Sequence, residues 1–516
     1  MGYRYEDCRI GKGDELRGRD YVRYRFYEIL PGFLSWFTIF AAIVCSWKYP
    51  MQTAVFIIAF DVFWLLKTIY LSLHLRTNWT RIKKHIGTDW AEKLKKLKHD
   101  HIYHMIMLPF YKEDKSLVEK TLVTLLQGKY DSKKMIVVLA AEERAGAEPQ
   151  DIAASMKEKY GDEFGHFIVT VHPDGIAGEL AGKGSNIAYA AECARKQILD
   201  KYSIDYKNVL VSAFDIDTIV YEQYFACLTV MFLESKRPYR TSFQPVPVFN
   251  NNIFEAPAIS RVVAYSATFW QMVQQERQER LATFSSHSIP FSTLYDIGYW
   301  QSNMVSEDSR IFWNCYMRYN SDYVVTPMSY PVSMDANLAP GMWQTVKNIY
   351  KQQRRWSYGV ENFAYIMFNF SKNKKIPLKE KLRIFAINVD GYWSLATNPI
   401  MIFLLGWMPI LLGGRDFNTT MLSFNLPYIT RDIMIITMSN LVLSYMISVS
   451  LMPAMSENTK RHKKYYHIVQ WLLVPLTITV FGAMPALEAQ TRLMLGKYMG
   501  FWVTPKHREE TAGHDT

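Results

Sequence analysis

Cysteine is scarce in this chain: five in 516 residues (Cys8, Cys45, Cys193, Cys227 and Cys315), widely scattered and with no Cys-x-x-Cys pair. That spacing argues against a disulfide framework or a cysteine-based zinc site and points to reduced thiols. Internal repeats and low-complexity runs are absent, as is the Gly-x-x-x-x-Gly-Lys spacing of a phosphate-binding P-loop. No short apolar core lies close to the start. Residues 1–29, polar and carrying Arg4, Arg9, Arg17, Arg19, Arg23 and Arg25, are therefore expected to form a retained cytoplasmic segment rather than a signal peptide.

Apolar and aromatic residues are abundant: 49% of the chain is hydrophobic, with 14 Trp, 33 Tyr and 29 Phe. The mean hydropathy of −0.09 nevertheless requires a large water-soluble part. A soluble domain joined to several membrane segments satisfies both. The formal net charge is +11, but the basic residues cluster beside apolar segments, as cytoplasmic flanks of membrane spans do. This favours a lipid bilayer as partner and not a nucleic acid.

The segments Leu30–Trp47 and Met51–Leu75 flank the break Lys48-Tyr49-Pro50, and each is near the roughly 20 residues that span a bilayer. Residues 30–75 thus read as a transmembrane hairpin. Arg76, Arg81, Lys83, Lys84, Lys93, Lys95, Lys96 and Lys98 follow at once and place both flanks in the cytoplasm. Lys67 is expected to snorkel to the near interface, and the deeper Asp61 to face a bundle interior or cavity. Apolar segments resume at about residues 392–412, 433–452 and 468–484, making 391–490 a C-terminal membrane region. The loop with Lys460, Arg461, Lys463 and Lys464 suits the cytoplasmic side. Pro475 and Pro485 leave the last segment either crossing or re-entrant; Lys497, Lys506 and Arg508 favour the tail, 491–516, inside.

From His101 to about residue 335, short apolar strands alternate with helical patterns: strands at 101–109, 135–140, 167–172 and 209–211, helices at 116–126, 151–159 and 185–199. Such alternation predicts a parallel, helix-covered sheet with its site at the strands' C-terminal ends. Residues 336–390, aromatic and basic and then Lys-rich, predict helices lying at the membrane surface.

Four stretches carry chemistry. Asp215 and Asp217 follow the strand Val209-Leu210-Val211. On an extended chain, carboxylates one residue apart point the same way and address one hard cation, which can carry a diphosphate. Taken alone, a polar loop explains the pair equally well. In Gly182-Lys183-Gly184-Ser185-Asn186 the glycines permit close backbone approach, and Lys183 can reach a phosphate; an ordinary turn is the commoner reading. In Ser306-Glu307-Asp308 one carboxylate can act as general base, or both acids can simply stabilise a helix start. In Lys351-Gln352-Gln353-Arg354-Arg355-Trp356, helical spacing puts Gln352, Arg355 and Trp356 on one face, suited to a diphosphate and a sugar ring, while Arg354 suits lipid headgroups.

The ordered set, strand-terminal Asp-Ile-Asp, then Ser-Glu-Asp, then Gln-Gln-Arg-Arg-Trp between membrane hairpins, resembles the membrane-bound family 2 glycosyltransferases, within them the cellulose-synthase and hyaluronan-synthase type. The resemblance implies an α/β GT-A (Rossmann-like) cytosolic domain over residues 101–335, combined with an α-helical transmembrane domain. It implies a nucleotide-sugar donor, a UDP-sugar, and a divalent cation, Mg²⁺ or Mn²⁺. By the same resemblance Asp215 contacts the nucleotide and Asp217 the metal, Lys183 approaches the nucleotide, and Asp308 is the general base. Gln352 and Arg355 bind the donor diphosphate, and Trp356 lines the acceptor site. Where the family has an Asp pair for nucleobase and ribose, this chain has Ala141-Glu142-Glu143-Arg144, so Glu142 supplies that carboxylate from a longer arm. The implied product is a growing polysaccharide, with export across a bacterial-type plasma membrane. The alternatives are a membrane lipid as acceptor, or a non-enzymatic transporter or scaffold with a degenerate transferase domain.

Overall fold

Four apolar runs open the α/β part as strands: β1 (Tyr103–Pro109), β2 (Met135–Glu142), β3 (His166–His172) and β4 (Val209–Ala213). They are apolar on both faces because both faces are covered. In β2, Ile136, Val138 and Ala140 enter one core cluster, while Met135, Val137, Leu139 and Ala141 enter the other. Neighbouring β1 divides the same way, Met105 and Met107 against Ile106 and Leu108. The computed structural model that shows this describes residues 3–6, 9–449 and 469–505.

β1 to β4 pair in parallel, as expected. Four further strands follow: β5 (Ile219–Val220), β6 (Thr241–Phe249), β7 (Ser288–Pro290) and β8 (Val324–Met334). They extend the sheet in the order β3-β2-β1-β4-β7-β6-β8-β5, and here the parallel expectation fails. β7 runs antiparallel to both β4 and β6, and β5 antiparallel to β8. The connections leading into β5 and β7 return the chain in the opposite sense, so the sheet is mixed.

The labelled helices, in chain order, are α1 (Gly18–Lys48), α2 (Pro50–Ile86), α3 (Lys183–Ala194), α4 (Glu307–Arg318), α5 (Met342–Ser357), α6 (Glu361–Lys372), α7 (Leu378–Phe403), α8 (Met421–Val449) and α9 (Met484–Met494). Among the described residues three helices are long and apolar enough to cross a membrane: α1, α2 and the run Gln470–Met494. A fourth span results if α7 and Leu405–Leu412, bent by 47°, count as one. The predicted segment 433–452 lies in α8 up to Val449; its last residues, the loop Lys460–Lys464, Cys8, Lys506 and Arg508 lie outside the described residues.

α2 continues past Leu75 into the α/β part. Asn78 donates to Ser329 Oγ (2.9 Å), and His85 Nδ1 meets the Met328 carbonyl (2.8 Å). One continuous helix therefore ties the sheet to the apolar segment before Leu75. Lys67 does more than snorkel: its ammonium lies 3.9 Å from Asp390 of α7, which Arg280 also holds at 2.8 Å. Asp61 is buried. The surface-helix expectation also divides. α5 exposes Met342 and Trp343 at its start, but α6 is buried from Glu361 to Phe370. The Lys-rich stretch is the start of α7, where Lys381 donates to the carbonyls of Phe370 and Asn373.

One core residue predicts acid sensitivity. His104 of β1 is fully buried, and its Nε2 lies 2.8 Å from Thr229 Oγ1. That hydroxyl already donates to the Phe225 carbonyl, so Nε2–H must donate to it, and Nδ1, buried with no hydrogen-bond partner, has no acceptor for a second proton. Burial pushes the His104 pKa down to about 3. The unfolded chain takes up this proton first, so the stability it contributes is present above the ordinary histidine range and is lost as pH falls toward about 3. The apparent unfolding midpoint in detergent is expected to drop between about pH 7 and about pH 5, and His104→Gln to flatten that slope.

Candidate active site

β4 ends at Ala213, and the Asp-Ile-Asp stretch is not extended. Thr218 N–H donates to the Asp215 carbonyl at 2.9 Å, closing a turn, and Ile216 packs into the core with its carbonyl taking the Thr121 hydroxyl at 2.5 Å. Strand alternation therefore does not orient the two carboxylates, a correction to the sequence reading. Asp215 faces Lys183 and Ser285. Asp217, fully buried, accepts from the Asp335 backbone N–H at 3.1 Å, and Asn251 bonds both the Asp217 carbonyl and the Asp335 carboxylate at 2.9 Å.

Lys183 begins α3. Asn186 ties that first turn to β2 by donating to the Ala140 carbonyl (2.9 Å), while Ser185 donates to the carbonyls of Leu180 and Gly182. The glycines matter here for space. A Cβ on Gly184 would meet Glu307 at 2.9 Å, and one on Gly182 would meet Phe501 at 2.6 Å. With that approach allowed, the Lys183 ammonium lies 2.7 Å from Asp215 Oδ1 and 3.1 Å from both oxygens of Asp308. Ser285 donates to the other Asp215 oxygen at 2.8 Å. Burial works against the charge on Lys183, but Asp215, Asp308 and Glu307 outweigh it and raise its pKa, so the lysine stays protonated.

The adjacent acids of α4 are in different surroundings. Asp308 faces the ammonium. Glu307 is buried against Gly184, and burial, with the Asp308 charge beside it, pushes its pKa up. His287, completely buried, has Nδ1 3.8 Å from Asp308 Oδ1. Trp300 Nε1–H donates to His287 Nε2 at 3.2 Å, so the proton is on Nδ1 and points to the Phe284 carbonyl at 2.9 Å. Burial lowers the pKa of this histidine, which keeps it neutral.

α5 carries the Gln-x-x-Arg-Trp face as a helix, and its residues part company. The Arg355 guanidinium lies 4.8 Å over the Phe501 ring and its charge is felt by Glu307. Trp356 packs against Phe249 and Phe284, with centroids at 5.9 and 5.7 Å. Arg354 pairs with Glu488 of α9 at 2.7 Å, a protein partner in place of the lipid headgroup expected for it. Gln352 lies half-buried on the same helix. Glu142, at the end of β2, is buried and paired with Arg144, whose guanidinium lies 4.6 Å over the Tyr111 ring.

Thus Lys183, Asp215 and Asp308 meet directly, with Arg355 close by. Asp217, Trp356 and Glu142 stand in separate neighbouring settings. Sequence reasoning missed Ser285, His287, Asn251 and Asp335, which carry no spacing that marks them. It also missed the tail: Phe501 lies against Gly182 and Arg355, and Tyr498 donates to Glu28 of α1 at 3.0 Å. These contacts put residues 498–502 on the same side as the α/β part. The run Phe501-Trp502 was the available signal.

No protein-family model matches the sequence, and no curated protein matches it. Several solved glycosyltransferases are similar at a low level. A Pyrobaculum calidifontis mannosyltransferase in complex with GDP-mannose and Mn²⁺ has a TM-score of 0.43 at 12% identity, over 86% of this chain and 99% of that one. Residues 1–349 of TarS from S. aureus, in complex with UDP-GlcNAc, give 0.36 at 12% identity, over 73% and 92%. GalNAc-T7 with UDP, GalNAc and Mn²⁺ gives 0.33 at 10% identity, over 58% and 59%. Each is a weak likeness.

Proposed function

We propose that this protein is a membrane-bound, inverting glycosyltransferase of the GT-A type that moves a sugar from a nucleotide-sugar donor, a UDP-sugar, to a growing polysaccharide. The observation that carries this reading is Lys183 held between Asp215 and Asp308, three residues from three separated motifs meeting at the C-terminal edge of the sheet. The acceptor hydroxyl gives its proton to an Asp308 oxygen while its own oxygen bonds to the anomeric carbon. The bond from that carbon to the diphosphate breaks, its electron pair stays on the phosphate oxygen, and the nucleoside diphosphate leaves with the anomeric configuration inverted. Lys183 and Arg355 stabilise the charge gathering on the diphosphate. A bound diphosphate competes with Asp308 for the Lys183 ammonium, and so releases the base only when donor is present. Trp356, with Phe249 beside it, offers an aromatic face to the acceptor sugar.

A divalent cation fits this donor set. Asp217 and Asp335 are both buried, Asn251 bridging the Asp217 main-chain carbonyl to the Asp335 carboxylate and the Asp335 N–H donating to the Asp217 carboxylate, and Mg²⁺ or Mn²⁺ is commonly bound by one or two carboxylates with substrate phosphates completing the shell. Asp217 would hold it, and when bound it would supply further charge neutralisation at the diphosphate. Glu142 would serve the nucleobase side. The basic run after Leu75 supports a cytoplasmic site in a multi-pass membrane protein.

The test is a screen of UDP-glucose, UDP-GlcNAc and GDP-mannose with the detergent-solubilised protein and Mg²⁺ or Mn²⁺, reading product size. A high-mass labelled polymer is expected. A single labelled glycolipid would move the reading to a lipid acceptor. No transfer and no donor hydrolysis with any sugar would favour a non-enzymatic membrane protein.

A further inference from the structure

The first turn of α4, which carries Asp308, is not capped by its own sequence. Ser306 at its N-cap makes no side-chain cap bond; its hydroxyl donates to Glu361 instead. The missing acceptor comes from α6. One oxygen of Glu361, Oε1, accepts from Val305 N–H (3.1 Å), Ser306 N–H (2.8 Å) and the Ser306 hydroxyl (2.6 Å). The next residue, Asn362, donates to Ser309 Oγ at 2.9 Å and accepts from Arg310 Nε at 2.6 Å. Two consecutive residues thus grip α4 on either side of Asp308.

The grip extends in two directions. Through the turn Tyr358–Val360 it is continuous with α5, which carries Arg355 and Trp356. Through Arg310, completely buried, it reaches the N-terminal segment: Arg310 Nη1 donates to the Ile10 carbonyl (3.0 Å) and to Gln301 (3.2 Å), with the Tyr365 ring under the guanidinium at 4.0 Å. Arg9 holds the carbonyls of Gly298 and Tyr299 at 2.8 and 3.2 Å, just before the base motif. Side-chain amides and a carboxylate at these spacings restrain a helix end far more sharply than apolar packing, because each bond loses strength steeply with distance and angle.

We propose that Glu361 is a positioning residue: it caps the base helix from outside and so sets the distance of Asp308 from Lys183 and from the acceptor. The inference rests on Asp308 being the base. All three bonds end on one oxygen, which an amide oxygen can replace, so the positioning role can be separated by substitution from the charge that Glu361 also presents to Arg310.

The series Glu361→Gln, Glu361→Asp and Glu361→Ala in the full-length protein tests it, with the donor that turns over in the screen as substrate and UDP binding as the second readout. Glu361→Gln keeps an acceptor oxygen in place and is expected to retain most of the turnover. Glu361→Asp keeps the charge but withdraws the oxygen, and kcat is expected to fall by about 100-fold, the scale of a 1 Å misplacement. Glu361→Ala should fall at least as far, and UDP affinity should be unchanged throughout. Turnover that survives in Glu361→Asp, fails in Glu361→Gln, or falls in step with UDP binding would overturn the proposal. If Glu361→Ala does not fold, the Gln and Asp variants still decide. An active Asp308→Asn variant would instead overturn the base assignment; an inactive one beside a normal Glu361→Asp would overturn the cap alone.

Discussion

Asp308→Asn is expected to abolish glycosyl transfer while leaving nucleotide binding nearly intact. Asparagine keeps the shape and one oxygen for the Lys183 ammonium, now 3.1 Å from both Asp308 oxygens, but it cannot accept the acceptor's proton. Losing a positioned general base costs about 10²–10⁴-fold, and no neighbour is placed to substitute. His287 has Nδ1–H committed to the Phe284 carbonyl and Nε2 to Trp300, so neither nitrogen is open to a proton from the acceptor. Glu307 is the rival: burial raises its pKa, and its stem is packed against Gly184. Initial rates on the active donor, together with UDP binding, check the assignment. A variant that keeps more than about 1% of the turnover removes Asp308 from the role.

Lys183→Met is expected to have the second largest effect, about 10²–10³-fold in kcat/KM, as for loss of a preorganised donor aimed at developing charge. Methionine fills similar volume without a charge. The loss should appear in UDP affinity as well as in turnover, because the same ammonium is assigned to the diphosphate. A fall in turnover with unchanged UDP affinity would confine Lys183 to holding Asp308. The substitution also leaves two carboxylates, Asp215 and Asp308, facing a site that has lost its cation. Breaking a buried ion pair from one side costs roughly 3–5 kcal/mol, so a lower unfolding midpoint is expected too, discounted because both acids are partly exposed.

The chain's local patterns carried a good deal of this. The helices long and apolar enough to cross a membrane were legible because they are long apolar runs, and the strands β1 to β4 because a sheet covered on both faces demands short ones. Gly182 and Gly184 were legible as sites of close approach, though what approaches, Phe501 and Glu307, was not. The alternation rule misplaced the Asp-Ile-Asp carboxylates, since β4 stops at Ala213 and a hydrogen-bonded turn takes over. The burial of α6 was unreadable because the surface it fills is made by other helices, α1, α4 and α7, two of them distant in sequence.

Read alone, then, the chain specifies which segments prefer lipid and which water, and which residue types are available to hold a charged ligand. Those are properties of short windows, where hydrophobic period and side-chain chemistry act over a few residues. Which acid meets Lys183, that Asp217 is turned away from it toward Asp335, and that Glu361 rather than Ser306 caps the base helix were decided by the tertiary fold. Each depends on groups far apart in sequence arriving within about 3 Å, a distance that hydrogen bonds and ion pairs require and that no local pattern encodes.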